Sequence, residues 1–351
     1  MTNTASIITM AKYEHDFINQ WLEHHINIGF SHFYILVDNI VDVQPEYKIN
    51  PDFMSYVTLI YVEKKTLETY WGPIDFTVNF NLSCYLHQLI NKLVIDKQLS
   101  KEVWITVIGI DQFIYLNNVT SLTIQDFLVK IDPACIQIFL PWSIVAFNNE
   151  NENFDNLMQN VNSFKSIYGK FGGHGNGMIR SKSAAELSGD SHYFLSKEKI
   201  QKCYILNEYH DIPFNGPTWH IFKIADKIMQ EHSVEALLNM DCLTSFHFVL
   251  RNKLECVIKA CLFWNSASFR IDQIANSIKL KDKLMLFNDL RGNCFNKTIT
   301  TNLIPNSYLP NTSIKNTNSY YVQILVDKLN INGFDISAEE VREWVDNLVF
   351  A

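Results

Sequence analysis

The stretch WITVIGIDQFIYL, residues 104–116, is an apolar, strand-like run that is interrupted by a single carboxylate, Asp111. Similar apolar runs occupy residues 5–10, 32–37 and 57–62, and helical patterns cover 15–28 and 77–99. Nearly continuous apolar strands that alternate with helices are typical of a mostly parallel sheet with helices on both faces. The pattern therefore predicts an α/β fold.

Acidic residues follow two of these predicted strands, Asp38 after the second and Asp111 after the fourth. Ligands of open α/β sheets bind beyond the carboxyl ends of the strands. A buried carboxylate is costly unless a cation or hydrogen-bond donors meet it, and a divalent metal that carries a diphosphate would meet that need at Asp111. Asp38 has the acceptor oxygens for a ribose or a base. A cap on the following turn is the alternative for both residues.

The composition excludes several classes of function. With 351 residues, 47% of them hydrophobic, and a net charge of −8, the chain is globular and lacks the basic surface that phosphate backbones attract. We therefore expect no nucleic-acid partner. No run of about 18 apolar residues occurs, which predicts no transmembrane segment and a cytoplasmic location. The seven cysteines are irregularly spaced, which favours reduced core thiols over a disulfide or zinc framework.

Two further motifs are candidates for binding. The cluster FGGHGNG, residues 171–177, could bring backbone N–H groups close to a ligand with His174 inside the loop, or form a plain flexible loop. His247 lies among aromatic residues in FHFVLR. Such a histidine is either a ligand or a core residue whose ring nitrogens are hydrogen-bonded.

Residues 10–39, MAKYEHDFINQWLEHHINIGFSHFYILVDN, resemble the opening of nucleotide-sugar glycosyltransferases of the family 2 and family 92 type. Those proteins begin with a strand that ends in Lys-Asn-Glu, a helix with Glu-Trp-Leu-x-x-His, then Leu-Gly and a strand that ends in Asp-Asn. Tyr13 replaces the usual Asn. The matching residues here are Lys12, Glu14, Trp21, Leu22, His25, Gly29, Phe33, Asp38 and Asn39.

Three later landmarks follow in the family's order. Its Trp-x-x-x-x-Asp-x-Asp-Glu-Phe motif is similar to residues 104–113, with Gly109 in place of the first Asp and Gln112 in place of the Glu. Its Phe-Gly-x-x-Gly-His motif is similar to residues 171–174. Its last motif, His-Tyr-x-x-Lys/Arg-Ser and a helical Lys, resembles His247, Phe248, Arg251, Asn252 and Lys259.

The resemblance implies a GT-A fold, a Rossmann-like sheet whose first half binds the nucleotide and whose second half binds the acceptor. We place the GT-A domain at residues 1–265, with the nucleotide-binding half at about 1–116 and the acceptor half at about 117–265. Residues 266–351 would form a helical C-terminal region. The end of that region has Val341, Trp344, Val345 and Leu348 at helical spacing, which favours packing on the protein over membrane contact.

The resemblance also implies roles for individual residues. Asp111 would bind Mn²⁺ or Mg²⁺ that bridges the donor diphosphate, and His247 would be the second metal ligand. Lys12, Glu14, Asp38 and His174 would face the nucleotide sugar, for which a UDP-sugar is favoured. Arg251 would bind the phosphates. An inverting transfer needs a carboxylate base, and Asp190 is favoured for this role over the alternatives Glu208, Asp211 and Asp241.

The predicted function is thus a metal-dependent glycosyltransferase that moves a sugar, of hexosyltransferase type, to a glycan or glycolipid in lipopolysaccharide or capsule biosynthesis. It would work in the cytoplasm, with peripheral contact at the inner face of the membrane left open. The alternative is a catalytically silent GT-A module that binds a nucleotide sugar, a glycan or a partner protein, because Gly109 and Gln112 depart from the motif. A nucleotidyltransferase is disfavoured because the first strand lacks a Gly-rich start with a following Arg and Lys.

Overall fold

The computed structural model describes most of the N-terminal two thirds of the chain and part of the rest. The described residues are 4–40, 43–71, 104–117, 123–147, 164–167, 175–187, 194–196, 200–213, 219–232, 240–250, 272, 274–276, 278–279, 302–303 and 319–347. The chain divides into two compact units. The first contains Met1–Lys12, Trp21–Ser143 and Lys170–His247, and the second contains Tyr13–Gln20, Ile144–Gly169 and Phe248–Ala351.

Four parallel strands form one half of the sheet in the first unit. They are β1 (Ala5–Ala11), β2 (His32–Asn39), β3 (Val57–Glu63) and β4 (Trp104–Val107), in the spatial order β4, β1, β2, β3. Every residue of β4 and nearly every residue of β1 is buried. All four predicted strands are confirmed. The apolar runs of β1, β2 and β4 are buried, as in strands that are covered on both faces, whereas in β3 only Val62 is buried.

The other half of the sheet is mixed in direction. β8 (Gly175–Arg180) is antiparallel to β4 and to β6 (Gln137–Phe147). β11 (Ile200–Ile205) is parallel to β6, and β12 (Glu208–Pro213) is antiparallel to β11. A short antiparallel pair, β9 (Ala184–Leu187) and β10 (Phe194–Ser196), lies outside this sheet. The unit is therefore α/β with a mostly parallel, mixed sheet, compatible with a Rossmann-like fold.

The helix predicted at residues 15–28 is confirmed as α1 (Ile18–Asn27), and Gly29 caps its C-terminal end. Gly29 has a φ of +99°, its N–H donates to the carbonyl of Ile26 (2.9 Å), and the N–H of Phe30 donates to the carbonyl of His25 (3.0 Å). These two bonds form a Schellman cap, in which glycine is favoured because it adopts the left-handed conformation without steric cost. The other helices of this unit are α2 (Lys64–Trp71), α3 (Ile124–Lys130) and α4 (Trp219–Glu231).

The run 104–116 is not one interrupted strand. β4 ends at Val107, residues 108–111 connect the two strands through a turn, and β5 (Gln112–Leu116) pairs antiparallel with β13 (Leu243–Leu250). Asp111 therefore occupies a turn rather than the end of the strand. The pattern of apolar residues does not predict this turn, because the segments on both sides of it are buried.

Two further expectations need correction. The apolar spacing beyond about residue 245 indicates a helix in the sequence, but residues 248–250 belong to β13, since a short apolar run fits either structure until its partner strand is known. The end of the glycine cluster is not a loop, because residues 175–177 are buried in β8. A Cβ on Gly175 would lie 2.3 Å from the carbonyl oxygen of Leu140, so this glycine permits close strand packing.

In the second unit, β7 (Phe164–Ile167) pairs with residues 144–147 of β6 and with β14 (Asn302–Leu303). Its helices are α5 (Ser319–Ile331) and α6 (Ala338–Asp346), and α6 begins with a capping box between Ser337 and Glu340. Val341, Trp344 and Val345 are buried, as their helical spacing predicts. The described residues between 272 and 279 are also helical. The predicted helix 77–99 lies outside the described residues, and the domain boundary at residue 265 stays a prediction.

Candidate functional site

Asp111 and His247 lie side by side in the first unit. The pairing of β5 with β13 places Gln112 opposite His247, and Asp111 immediately precedes Gln112. His247 Nε2 is 3.3 Å from Asp111 Oδ2, and the two side chains are 19% and 20% exposed. The two residues that the resemblance implies as metal ligands are therefore in contact and open to solvent on one side.

The His247 ring packs against a tryptophan that is tied to the sheet. The Trp142 and His247 rings have centroids 5.0 Å apart in an edge-to-face arrangement. The Trp142 indole N–H donates to Asn176 Oδ1, and Asn176 Nδ2 donates to the carbonyl of Val107 (2.8 Å). Trp142 and Asn176 were not predicted as site residues. The only sequence signal was the position of Asn176 inside the glycine cluster.

The Asp111 and His247 pair fits two neighbouring ligands of one divalent cation. Metal bonds to carboxylate oxygen and imidazole nitrogen are each roughly 2.0–2.2 Å long, so adjacent ligand atoms of an octahedral ion are ~3 Å apart. Among the described residues, no group of three or more His, Cys, Asp and Glu side chains could hold a metal. Two protein ligands are what an ion such as Mg²⁺ commonly uses when phosphates and water complete its coordination.

Lys12 and Asp38 form a second charged pair at the same sheet edge. Lys12 follows β1 directly and Asp38 lies at the end of the adjacent parallel strand β2. Lys12 Nζ is 3.1 Å from Asp38 Oδ2, and the side chains are 20% and 4% exposed. Asp38 Oδ1 also accepts a hydrogen bond from the N–H of Ile40 (3.1 Å), so Asp38 caps a turn in addition to pairing with a cation.

The first helix contributes buried side chains that support the strand next to Asp111. The Trp21 indole N–H donates to the carbonyl of Gln112 (2.8 Å). The N–H of Ile114 donates to His25 Nε2 (3.2 Å). Trp21 and His25, which match the family's first landmark, therefore hold β5 in place in this chain. Helical periodicity predicted that they are buried but not which strand they contact.

The other residues predicted for the site are Glu14, His174, Asp190 and Arg251. Glu14 belongs to the second unit, where its carbonyl accepts from the N–H groups of Phe17 (3.0 Å) and Ile18 (2.9 Å). His174, Asp190 and Arg251 lie outside the described residues, and their roles stay predictions. Of the alternative bases, Glu208 lies in β12, and its Oε2 is 3.3 Å from His210 Nε2.

In the described part of the chain, no helix is long and apolar enough to cross a bilayer. Comparison with other proteins adds no family assignment: no protein-family model matches this chain, and no curated protein matches it at a significant level. We therefore infer its function from its own residues and from the distances between them.

Proposed function

We propose that the chain is a GT-A glycosyltransferase that transfers a sugar from a nucleotide donor, a UDP-sugar, to a glycan or glycolipid with the help of Mn²⁺ or Mg²⁺. The observation that carries the proposal is the 3.3 Å approach of His247 Nε2 to Asp111 Oδ2. These residues come from landmarks far apart in the sequence. A contact between them is what a shared metal would require.

The chemistry follows from the charge that builds up when a nucleoside diphosphate leaves. A divalent cation at this site would neutralise that charge on the phosphate oxygens. Asp111 would supply an anionic oxygen ligand and His247 a neutral nitrogen ligand. Both are partly exposed, so a donor can reach them from solvent.

Lys12 and Asp38 would hold the nucleotide at the neighbouring strand ends. Lys12 Nζ fixes the orientation of one Asp38 oxygen. The carboxylate is an acceptor for ribose or base donors. Glu14 and His174 would add contacts to the nucleotide sugar, Arg251 would bind the phosphates, and Asp190 would accept the proton of the acceptor hydroxyl as the base of an inverting transfer.

One backbone feature is consistent with the family resemblance. Tyr13, which replaces the family's Asn, has a φ of +59°. Asn is several-fold enriched in this left-handed region, whereas an aromatic residue is uncommon there. The backbone at residue 13 thus has the conformation that suits the family's residue.

We place the acceptor in lipopolysaccharide or capsule biosynthesis, at the inner face of the membrane, with the enzyme in the cytoplasm.

The test is release of nucleoside diphosphate from UDP-, GDP- and CMP-sugars, with Mn²⁺, with EDTA, and with Asp111→Ala. We expect slow hydrolysis of one donor that requires both Mn²⁺ and Asp111. Asp52→Ala, which removes an exposed carboxylate at the start of a 3-10 helix, is the matched control and should release at the normal rate. Release that survives both EDTA and Asp111→Ala would refute the metal role.

A catalytically silent GT-A module is the second candidate. It is favoured by Gly109, which leaves this turn without the family's first carboxylate, and by the direct contact between the Asp111 and His247 side chains. Nucleotide binding without release from any donor, even with glycan acceptors added, would support the module and contradict the enzyme.

A further inference from the structure

The turn between β4 and β5 is closed by two hydrogen bonds between its end residues. The N–H of Gln112 donates to the carbonyl of Gly109 (3.0 Å), and the N–H of Gly109 donates to the Gln112 side-chain oxygen Oε1 (3.0 Å). Asp111 lies inside this closed turn. The path of the backbone at Asp111 is therefore set by the two residues that depart from the family motif.

At Gly109 it is the space beside the backbone, rather than the backbone conformation, that favours glycine. Its φ lies outside the left-handed range that favours glycine. A Cβ on Gly109 would, however, lie 2.5 Å from Asp111 Oδ1, a distance that real Cβ atoms do not show. The Asp111 carboxylate thus occupies the volume that any side chain at 109 would take. The same carboxylate contacts His247 through its other oxygen.

Gln112, which follows Asp111 in the sequence, is held in place by its burial and its contacts. It is 3% exposed, its carbonyl accepts from the Trp21 indole, and it lies directly opposite His247 in the β5–β13 pair. A polar side chain this deeply buried is destabilising unless it is hydrogen-bonded. The bond from the Gly109 N–H meets this need and couples the turn to the strand that faces His247.

We propose that Gly109 and Gln112 are positioning residues that hold the Asp111 carboxylate against His247, so that this chain builds a metal centre from one carboxylate and one histidine. Gly109 leaves free the space that the Asp111 side chain occupies. Gln112 closes the turn that orients the Asp111 carboxylate toward His247. A carboxylate side chain at 109 would displace Asp111 from His247. The metal part of this inference rests on the proposed function, whereas the positioning of Asp111 does not.

The first test is the affinity of the intact chain for Mn²⁺ alone, measured by electron paramagnetic resonance. We expect Gly109→Ala and Gln112→Met each to weaken binding by about 10- to 100-fold, the range typical of residues that orient metal ligands. Gln137→Met is the matched control. Gln137 is another buried glutamine, and within the described residues its side-chain atoms have no hydrogen-bond partner, so its loss should leave Mn²⁺ affinity unchanged.

The second test needs no metal. Gly109→Ala is made in the natural chain and in Asp111→Ala, and the melting temperature Tm of each is measured. With Ala at 111, a Cβ at 109 no longer meets the Asp111 carboxylate. Ala at 109 should then raise Tm, because it reduces the conformational entropy of the unfolded chain. With Asp at 111 it should lower Tm or leave it unchanged. Pairs in contact give such non-additive results.

The two tests separate the two claims. A chain that binds no Mn²⁺ but shows the non-additive Tm pattern would refute the proposed metal function and leave the positioning of Asp111 standing. Equal Tm changes in both backgrounds would overturn the positioning role of Gly109. Normal Mn²⁺ affinity in both Gly109→Ala and Gln112→Met would overturn the inference even if the natural chain binds the metal.

Discussion

The Asp38 carboxylate is 4% exposed and contacts the Lys12 ammonium and the N–H of Ile40. Ion pairs between exposed side chains contribute little to stability, but removal of one partner of a buried charge leaves that charge uncompensated. Lys12 is itself 20% exposed, so part of the compensation comes from water. At this site the pair serves to orient a buried carboxylate.

Replacing Lys12 with Met should therefore lower the free energy of unfolding by about 1–3 kcal/mol, the typical cost of leaving a buried polar group unsatisfied. Urea unfolding followed by tryptophan fluorescence measures this. The control is Lys64→Met, which breaks an exposed pair with Glu68 at 3.7 Å and should change stability by less than ~0.5 kcal/mol. Equal changes in the free energy of unfolding for the two substitutions would show that the burial of Asp38 does not increase the contribution of the Lys12–Asp38 pair to stability.

Histidine side chains of helix α1 hydrogen-bond to the backbone of strand β5. His24 Nε2 is 2.8 Å from the carbonyl of Ile114, and His25 Nε2 accepts from the N–H of the same residue. His25 Nδ1, 2.8 Å from the carbonyl of Trp21, must then carry the proton. The His25 ring is therefore neutral in the folded protein. Burial lowers the pKa of His24 to about 4, and burial together with the neighbouring His24 lowers the pKa of His25 well below its usual value.

This contact predicts loss of stability in mild acid. In the unfolded chain these histidines take up protons as the pH falls below the ordinary pKa of 6.5, whereas in the folded protein His24 resists protonation down to about 4. The unfolded state binds more protons between these values, so the free energy of unfolding should fall as the pH falls from about 6.5 toward 4.

Urea midpoints measured across this pH range check the prediction. His24→Gln keeps a donor for the Ile114 carbonyl and should flatten the pH dependence. His232→Gln, which changes an exposed histidine, should not. A pH dependence that His24→Gln leaves unchanged would place its origin elsewhere in the protein.

At the scale of the whole molecule, the described cysteines belong to the core rather than to a site. Cys135, Cys203 and Cys242 are free and buried, which confirms for these three the predicted reduced thiols. Burial raises the pKa of Cys135 to about 11 and that of Cys242 to about 12, and it also raises the pKa of Cys203. The thiolate is the reactive form, so these residues are inert in the folded state. The other four cysteines lie outside the described residues.

Alkylation with iodoacetamide at about pH 8, read by mass spectrometry at each cysteine, should therefore leave these three thiols unmodified in the native protein. They should react fully once the chain is unfolded in urea, and that sample is the control for reagent access. Rapid labelling of Cys135 or Cys242 without denaturant would contradict their assignment to a closed core.

Much of the first unit was predictable because its signals are local. The continuous apolar runs of β1 to β4 and the 3.6-residue spacing of α1 are properties of short segments, and Gly29 marks a helix end by its own conformational freedom. The turn at residues 108–111 was not predictable in this way. It interrupts no apolar pattern, and its closure depends on the Gln112 side chain reaching the N–H of Gly109.

By itself, the sequence determined the parallel strands and the first helix, because the pattern of apolar residues decides which segments are buried as strands or helices. The resemblance then paired Asp111 with His247 as an expectation. Only the tertiary structure decided that the two side chains meet, that Lys12 pairs with Asp38, and that His24 and His25 support β5. These contacts depend on the pairing of β5 with β13 and the packing of α1, which join segments that no local pattern relates.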